Sequence, residues 1–174
     1  MSDRAITEKP LVLGIGNLLM GDEGVGVAVV QRLEESGLGR HAELLDGGTG
    51  GFHLLGLFRD RRHVILIDAA ADGWPAGTVS LTQPRYARDF PPTLTAHDIG
   101  LKDLVESAAL LGELPEMDLV TVSIGSPGAL TMELSPEVAA ALPKVETLVR
   151  TCLDRARQRQ RTAFSAVPDR AATR

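Results

Sequence analysis

The stretch Leu11 to Gly26, LVLGIGNLLMGDEGVG, constrains this chain more than any other. An unbroken apolar run reads as a parallel strand buried on both faces, because an antiparallel strand with one wet face would alternate. The run delivers the chain into a glycine turn and then a helix, so the turn residues sit at the carboxyl edge of a sheet. Open α/β folds bind their ligands there. Two adjacent acids, Asp22 and Glu23, occupy the helix start.

Two nucleotide-binding patterns fail here. Gly14 and Gly16 begin a G-x-G-x-x-G fingerprint, but its third glycine is replaced by Leu19. Gly16 and Gly21 have phosphate-loop spacing, yet Asp22 and Glu23 stand where that loop needs Lys and Ser or Thr. Two carboxylates repel a phosphate, so the turn suits a cation or a positively polarised group.

The remaining chain repeats the pattern of strand, turn and helix. Helical spacing of Val25, Val29, Val30 and Leu33 ends at Gly37, and Ala42 to Leu45 forms a second strand ending at Asp46 and the turn GGTGG. A helical stretch from Phe52 leads to RDRRH, and a third apolar strand, Val64 to Ile67, ends at Asp68. Thr78 to Leu81 makes a fourth strand, and a proline-rich connection follows. Thr95 caps a helix with Asp98 three residues on, which puts His97 in its first turn. That helix runs to about Leu111, and Leu119 to Ile124 is the fifth strand. Ser135 and Pro136 open a helix that Pro143 should break, before a longer one from Lys144 to about Arg157.

Strands alternating with helices predict an α/β fold: a three-layer α/β/α sandwich around a largely parallel five-stranded sheet. At 174 residues one domain is expected, spanning 11–157 between an N-terminal tail, 1–10, and a disordered C-terminal tail, 158–174. The net charge of -5 and 3% aromatic content argue against nucleic-acid binding. No apolar run reaches the ~20 residues of a membrane helix. A polar start and one cysteine, Cys152, point to a cytoplasmic, reducing location.

Glu23, Asp46 and Asp68 each stand at the carboxyl end of one of the first three strands. Neighbouring strands lie ~5 Å apart, so adjacency would bring the acids together. Such a cluster is costly unless a cation or protons compensate it. Glu23, Asp68 and His97 offer two oxygens and an imidazole nitrogen, a set that suits a borderline divalent metal with positions left open. A helix start also favours the neutral, metal-binding form of His97. Each group has a plain alternative: acids cap helices, and Asp46 before two glycines suits a turn. His41, His53 and His63 read as surface or packing residues.

GIGNLLMGDEGVG, LLDGGTGG, VILIDA and TAHDIGLKDLV, in this order, resemble the hydrogenase maturation endopeptidases, from about Leu11 to Leu153. The resemblance implies a twisted sheet with helices on both faces. It implies an aspartyl-type endopeptidase that removes a short C-terminal peptide from the precursor of a nickel-iron hydrogenase large subunit once nickel is in place. Glu23, Asp68 and His97 match the nickel-contacting positions, and Asp46 matches a further acid important for cleavage. The nickel is expected to arrive with the substrate, and the enzyme itself to be a monomer. No conventional nucleophile fits, since Thr121 to Gly125 lacks the first glycine of a G-x-S-x-G elbow. A non-cleaving, metal-sensing assembly chaperone is the alternative.

Overall fold

The computed structural model describes residues 9–49, 54–58, 61–91, 94, 101–111, 114–125 and 130–165. Its five strands are β1 (Leu11–Gly14), β2 (Glu43–Asp46), β3 (His63–Ala70), β4 (Val79–Thr82) and β5 (Glu116–Ser123). Four helices accompany them: α1 (Val25–Glu35), α2 (Leu55–Phe58), α3 (Leu101–Leu111) and α4 (Pro136–Ser165). The strands form one sheet in the order β2-β1-β3-β5-β4. All neighbours run parallel except β4, which pairs antiparallel with β5 at the edge. β4 alternates between half-buried and exposed residues, as an edge strand with one wet face should.

Register divides the core into two layers. Val12, Ile65 and Val120 face α1 and α4, while Leu13, Leu66 and Leu119 face the layer of α2 and α3. β3 is buried at all eight positions, as the middle strand of a three-layer sandwich must be.

α1 lies directly on the sheet because two glycines permit it. A Cβ on Gly26 would stand 2.3 Å from the carbonyl oxygens of Ile15 and Ile67, and one on Gly14 would stand 2.2 Å from the carbonyl of Gly26. Any side chain here would lift the helix off the strands and carry the preceding acids with it. α1 stops where Gly37 takes a φ of 73°, a left-handed conformation that costs glycine little.

The C-terminal helix departs from expectation. Pro143 lies inside α4 rather than breaking it, and α4 continues to Ser165 instead of ending near Arg157. An internal proline costs ~3 kcal/mol. Val138, Leu142, Val145 and Val149 are buried against the sheet, and each such side chain contributes ~1.5–3 kcal/mol, so the stripe outweighs the break. Pro143 itself faces solvent. Beyond Arg157, an ion pair between Arg159 and Glu116 anchors the extension to β5.

At the amino edge of the sheet, a buried polar group ties β3, β5 and α4 together. Nε2 of His63 lies 3.0 Å from Oδ2 of Asp118, and the Gln83 amide donates to Oδ1 at 2.7 Å. Arg155 of α4 stands 3.8 Å from the same carboxylate. Burial pushes the Asp118 carboxyl up, but the bonds from His63 and Gln83 outweigh it and hold the group at about 2. His63 therefore has the packing role expected of it.

Candidate active site at the carboxyl edge

The acids selected from the sequence lie at the opposite edge, on different faces of the sheet. Asp68 is the sixth residue of β3 and is 0% exposed. Its position alternates with Val64 and Leu66, so it faces the α3 layer, and its Oδ1 accepts the Ala69 N–H at 2.8 Å. Glu23, 1% exposed, sits on the 3-10 helix Gly21–Gly24 that packs against β3. Gly16 fixes it there: with φ at 146°, a Cβ on Gly16 would stand 1.9 Å from the Glu23 carbonyl oxygen. Only glycine lets the turn after β1 close over the acid.

Asp46 differs. It ends β2 in register with Gly14, which pairs in turn with Ile67, and it is exposed. That row belongs to the α1 face, whereas Asp68 points to the other. Asp46 Oδ1 accepts the Gly48 N–H at 2.7 Å, and the Gly48 carbonyl accepts the Gly16 N–H at 2.7 Å. A short relay of hydrogen bonds thus runs from Asp46 through Gly48 to Gly16, and Gly16 touches Glu23.

Leu94 bridges Ala70, two residues past Asp68 on the same strand, and α3 begins at Leu101. His97 lies between them, outside the described residues. Among the described residues no three His, Cys, Asp or Glu side chains gather closely enough to hold a metal ion. Glu23 and Asp68 are buried acids at this edge.

Cysteine chemistry does not operate here. Cys152 is buried in α4 beside Asp118, at the other end of the sheet, and burial followed by the Asp118 charge pushes its thiol up to about 12. Ser123 donates its hydroxyl to the Asp72 carboxylate at 3.1 Å.

One role was missed in the sequence. Asp22 looks like a helix cap for α1, but its Oδ1 accepts the N–H of Ser135, 113 residues away, at 2.7 Å. It fastens the start of α4 to the site, and no local pattern marks so distant a pairing.

Comparison with known proteins now decides the family. Residues 27–151 match the family model of the hydrogenase maturation proteases. The chain belongs to this family. It is 33% identical over 148 residues to the hydrogenase 2 maturation protease of Escherichia coli (strain K12), covering 83% of this chain and 85% of that one. The structure of the hydrogenase maturating endopeptidase HybD from Escherichia coli superposes with a TM-score of 0.74 at 31% identity, covering 85% of this chain and 93% of that chain. The nickel-iron hydrogenase maturation protease HybD from Thermococcus kodakarensis gives 0.68 at 26% identity, with coverages of 82% and 97%. A maturation protease is a peptidase, and the mostly parallel five-stranded α/β fold is the fold of these relatives. The family match takes in Asp46, Asp68 and His97 but begins after Glu23, so Glu23 rests on its own burial and position. No described helix is long and apolar enough to cross a membrane.

Proposed function

We propose that this maturation protease cuts a short C-terminal peptide from the nickel-loaded large-subunit precursor of a nickel-iron hydrogenase, and that it recognises the nickel the substrate carries. The observation that carries the reading is the pair of buried carboxylates, Glu23 and Asp68, on adjoining elements at one sheet edge. Two buried carboxylates at one edge offer oxygen donors to a dication that arrives with the substrate. His97 supplies the third donor in this reading. Its described neighbours support it, since Leu94 pairs beside Asp68 on β3 and α3 packs on the face to which Asp68 points.

Amide cleavage without a side-chain nucleophile requires water. Glu23, Asp68 and His97 hold the substrate's nickel so that the scissile bond lies against the edge, a gain from proximity. When bound with the substrate, the nickel would supply Lewis acidity to the amide or to the attacking water. Asp46 acts as a positioning group: its carboxylate shapes the turn that holds Gly16 over Glu23. This reading places the reaction in the cytoplasm.

Incubating the protein with nickel-loaded and nickel-free precursor, read by intact mass, tests the reading. The expected result is loss of a C-terminal peptide from the loaded form alone. Equal cutting of both forms would remove nickel from recognition, and unchanged mass in both would reduce the protein to a docking factor.

A further inference from the structure

The two adjacent acids at the site differ in what they meet. A 3-10 helix has about three residues per turn, so neighbouring side chains leave it about a third of a turn apart. Glu23 is buried at 1% exposure, while the half-buried Asp22 carboxylate takes the Ser135 N–H at 2.7 Å.

The helix that carries both acids is weakly held by its own bonds. It has four residues and no side-chain cap, and the Glu23 N–H reaches the Met20 carbonyl only at 3.4 Å. A single turn of this kind does not persist without tertiary support. Gly16 supplies one support through its close approach to the Glu23 backbone. The segment leading into α4 supplies two more: the Thr131 carbonyl accepts the Gly21 N–H at 2.7 Å, and Ser135 donates to Asp22.

Ser135 immediately precedes α4, and its Oγ accepts the Val138 N–H at 3.4 Å. In a capping box, an acid or amide at the third helical position returns a bond to the N–H of the capping residue. Val138 holds that position and has no such group. Asp22 fills the role from 113 residues away. One carboxylate therefore completes the cap of a 30-residue helix and ties that helix to the turn bearing Glu23. The anchor is firm, because Val138, Leu142, Val145 and Val149 are buried against the sheet.

We infer that Asp22 is a positioning residue for cleavage: it fixes the helix of Glu23 to α4, and of the two acids only Glu23 meets the substrate's nickel. This rests on the peptidase reading and divides the roles of its two neighbouring carboxylates.

The test compares wild type with Asp22→Ala, Asp22→Asn and Ser135→Ala on the nickel-loaded precursor, and follows amide hydrogen exchange at Gly21 and Glu23 by NMR in each protein. Asp22→Ala should lower kcat/KM roughly tenfold, the scale of a lost hydrogen bond to a charged group. The same variant should speed exchange at the two amides roughly tenfold, as local opening becomes easier. Asp22→Asn keeps an acceptor oxygen and should restore most of both. Ser135→Ala loses the bond to Val138 but keeps the N–H that Asp22 takes, so it should lower Tm by a few degrees at a much smaller loss of kcat/KM. Wild-type kcat/KM in Asp22→Ala overturns the inference. An Asn variant as inactive as the Ala variant also overturns it, by making Asp22 a group that meets the nickel or the substrate. Equal losses in Ser135→Ala and Asp22→Ala overturn it as well, by reducing Asp22 to a helix cap. If wild type leaves the precursor uncut, the peptidase reading falls, and exchange at Gly21 and Glu23 then decides the anchoring: faster exchange in Asp22→Ala supports it, and unchanged exchange overturns it.

Discussion

The two ends of the sheet use the same residue types for opposite purposes. At the amino edge the charged groups meet within the chain: Asp118 faces His63, Gln83 and Arg155, Glu116 faces Arg159, and Glu43 faces Arg61. At the carboxyl edge Asp22 and Asp46 turn to backbone N–H groups, glycines bring the backbone close, and large apolar side chains stand exposed. The amino-edge cluster, closed by its own cations, supports the fold, and in the proposed reading the carboxyl-edge acids meet a charge that comes with the substrate. Burial alone does not separate the two, since Asp118 and Asp68 are both 0% exposed.

Substitutions should divide along that line. The largest effect belongs to the carboxyl edge: Glu23→Gln, Asp68→Asn or His97→Ala should lower precursor processing by at least about a hundredfold, as loss of a metal-contacting group does. Each variant should still melt cooperatively in a thermal scan followed by circular dichroism. Normal processing by a folded Asp68→Asn protein would erase the distinction between the edges.

Asp118→Ala should do the reverse. It strands His63 and Arg155 and costs about 3–5 kcal/mol of stability, a fall of roughly 10 °C in Tm. Processing assayed well below the new Tm should stay near wild type. A matching loss of activity would mean that the amino edge also serves the reaction.

Acid titration sharpens the comparison further. The folded Asp118 carboxyl is held at about 2 against an ordinary 3.8, so it stays ionised when its unfolded counterpart has taken up a proton. Its stabilisation is complete above about pH 4 and fades as pH falls towards 2. The difference corresponds to about 2 kcal/mol. Urea unfolding across that window should show the loss in wild type and a shallower slope in Asp118→Asn.

The smallest effect concerns Asp46. Asp46→Ala should reduce processing roughly tenfold by releasing Gly48, a loss on the scale of one hydrogen bond. Asp46→Asn keeps an oxygen for that bond and should restore most of the rate. Equal inactivity of the two variants would make Asp46 a proton-transferring base instead.

Where the sequence spoke clearly, one residue type had one physical meaning. The unbroken apolar runs at Leu11 and Val64 marked strands covered on both faces, and an acid ending such a run, Asp68, stood out because nothing local required it. The direction of β4 was not legible, because Val-Ser-Leu-Thr alternates identically in either sense and only pairing with β5 settles it. Pro143 misled for a similar reason: its local cost is visible in the sequence, but the buried stripe that outweighs it depends on the sheet beneath. The pairings of His63 with Asp118 and of Asp22 with Ser135 span 55 and 113 residues and leave no periodic trace. In the site, the candidate acids were readable singly. Their division between the α3 face and the α1 face required register.

The most direct measurement is nickel X-ray absorption on the nickel-loaded precursor, frozen immediately after mixing with wild-type protein and, separately, with Asp68→Asn. The account predicts additional oxygen or nitrogen donors on the nickel with wild type and fewer with the variant. Identical nickel spectra for the precursor alone and in both mixtures would contradict it.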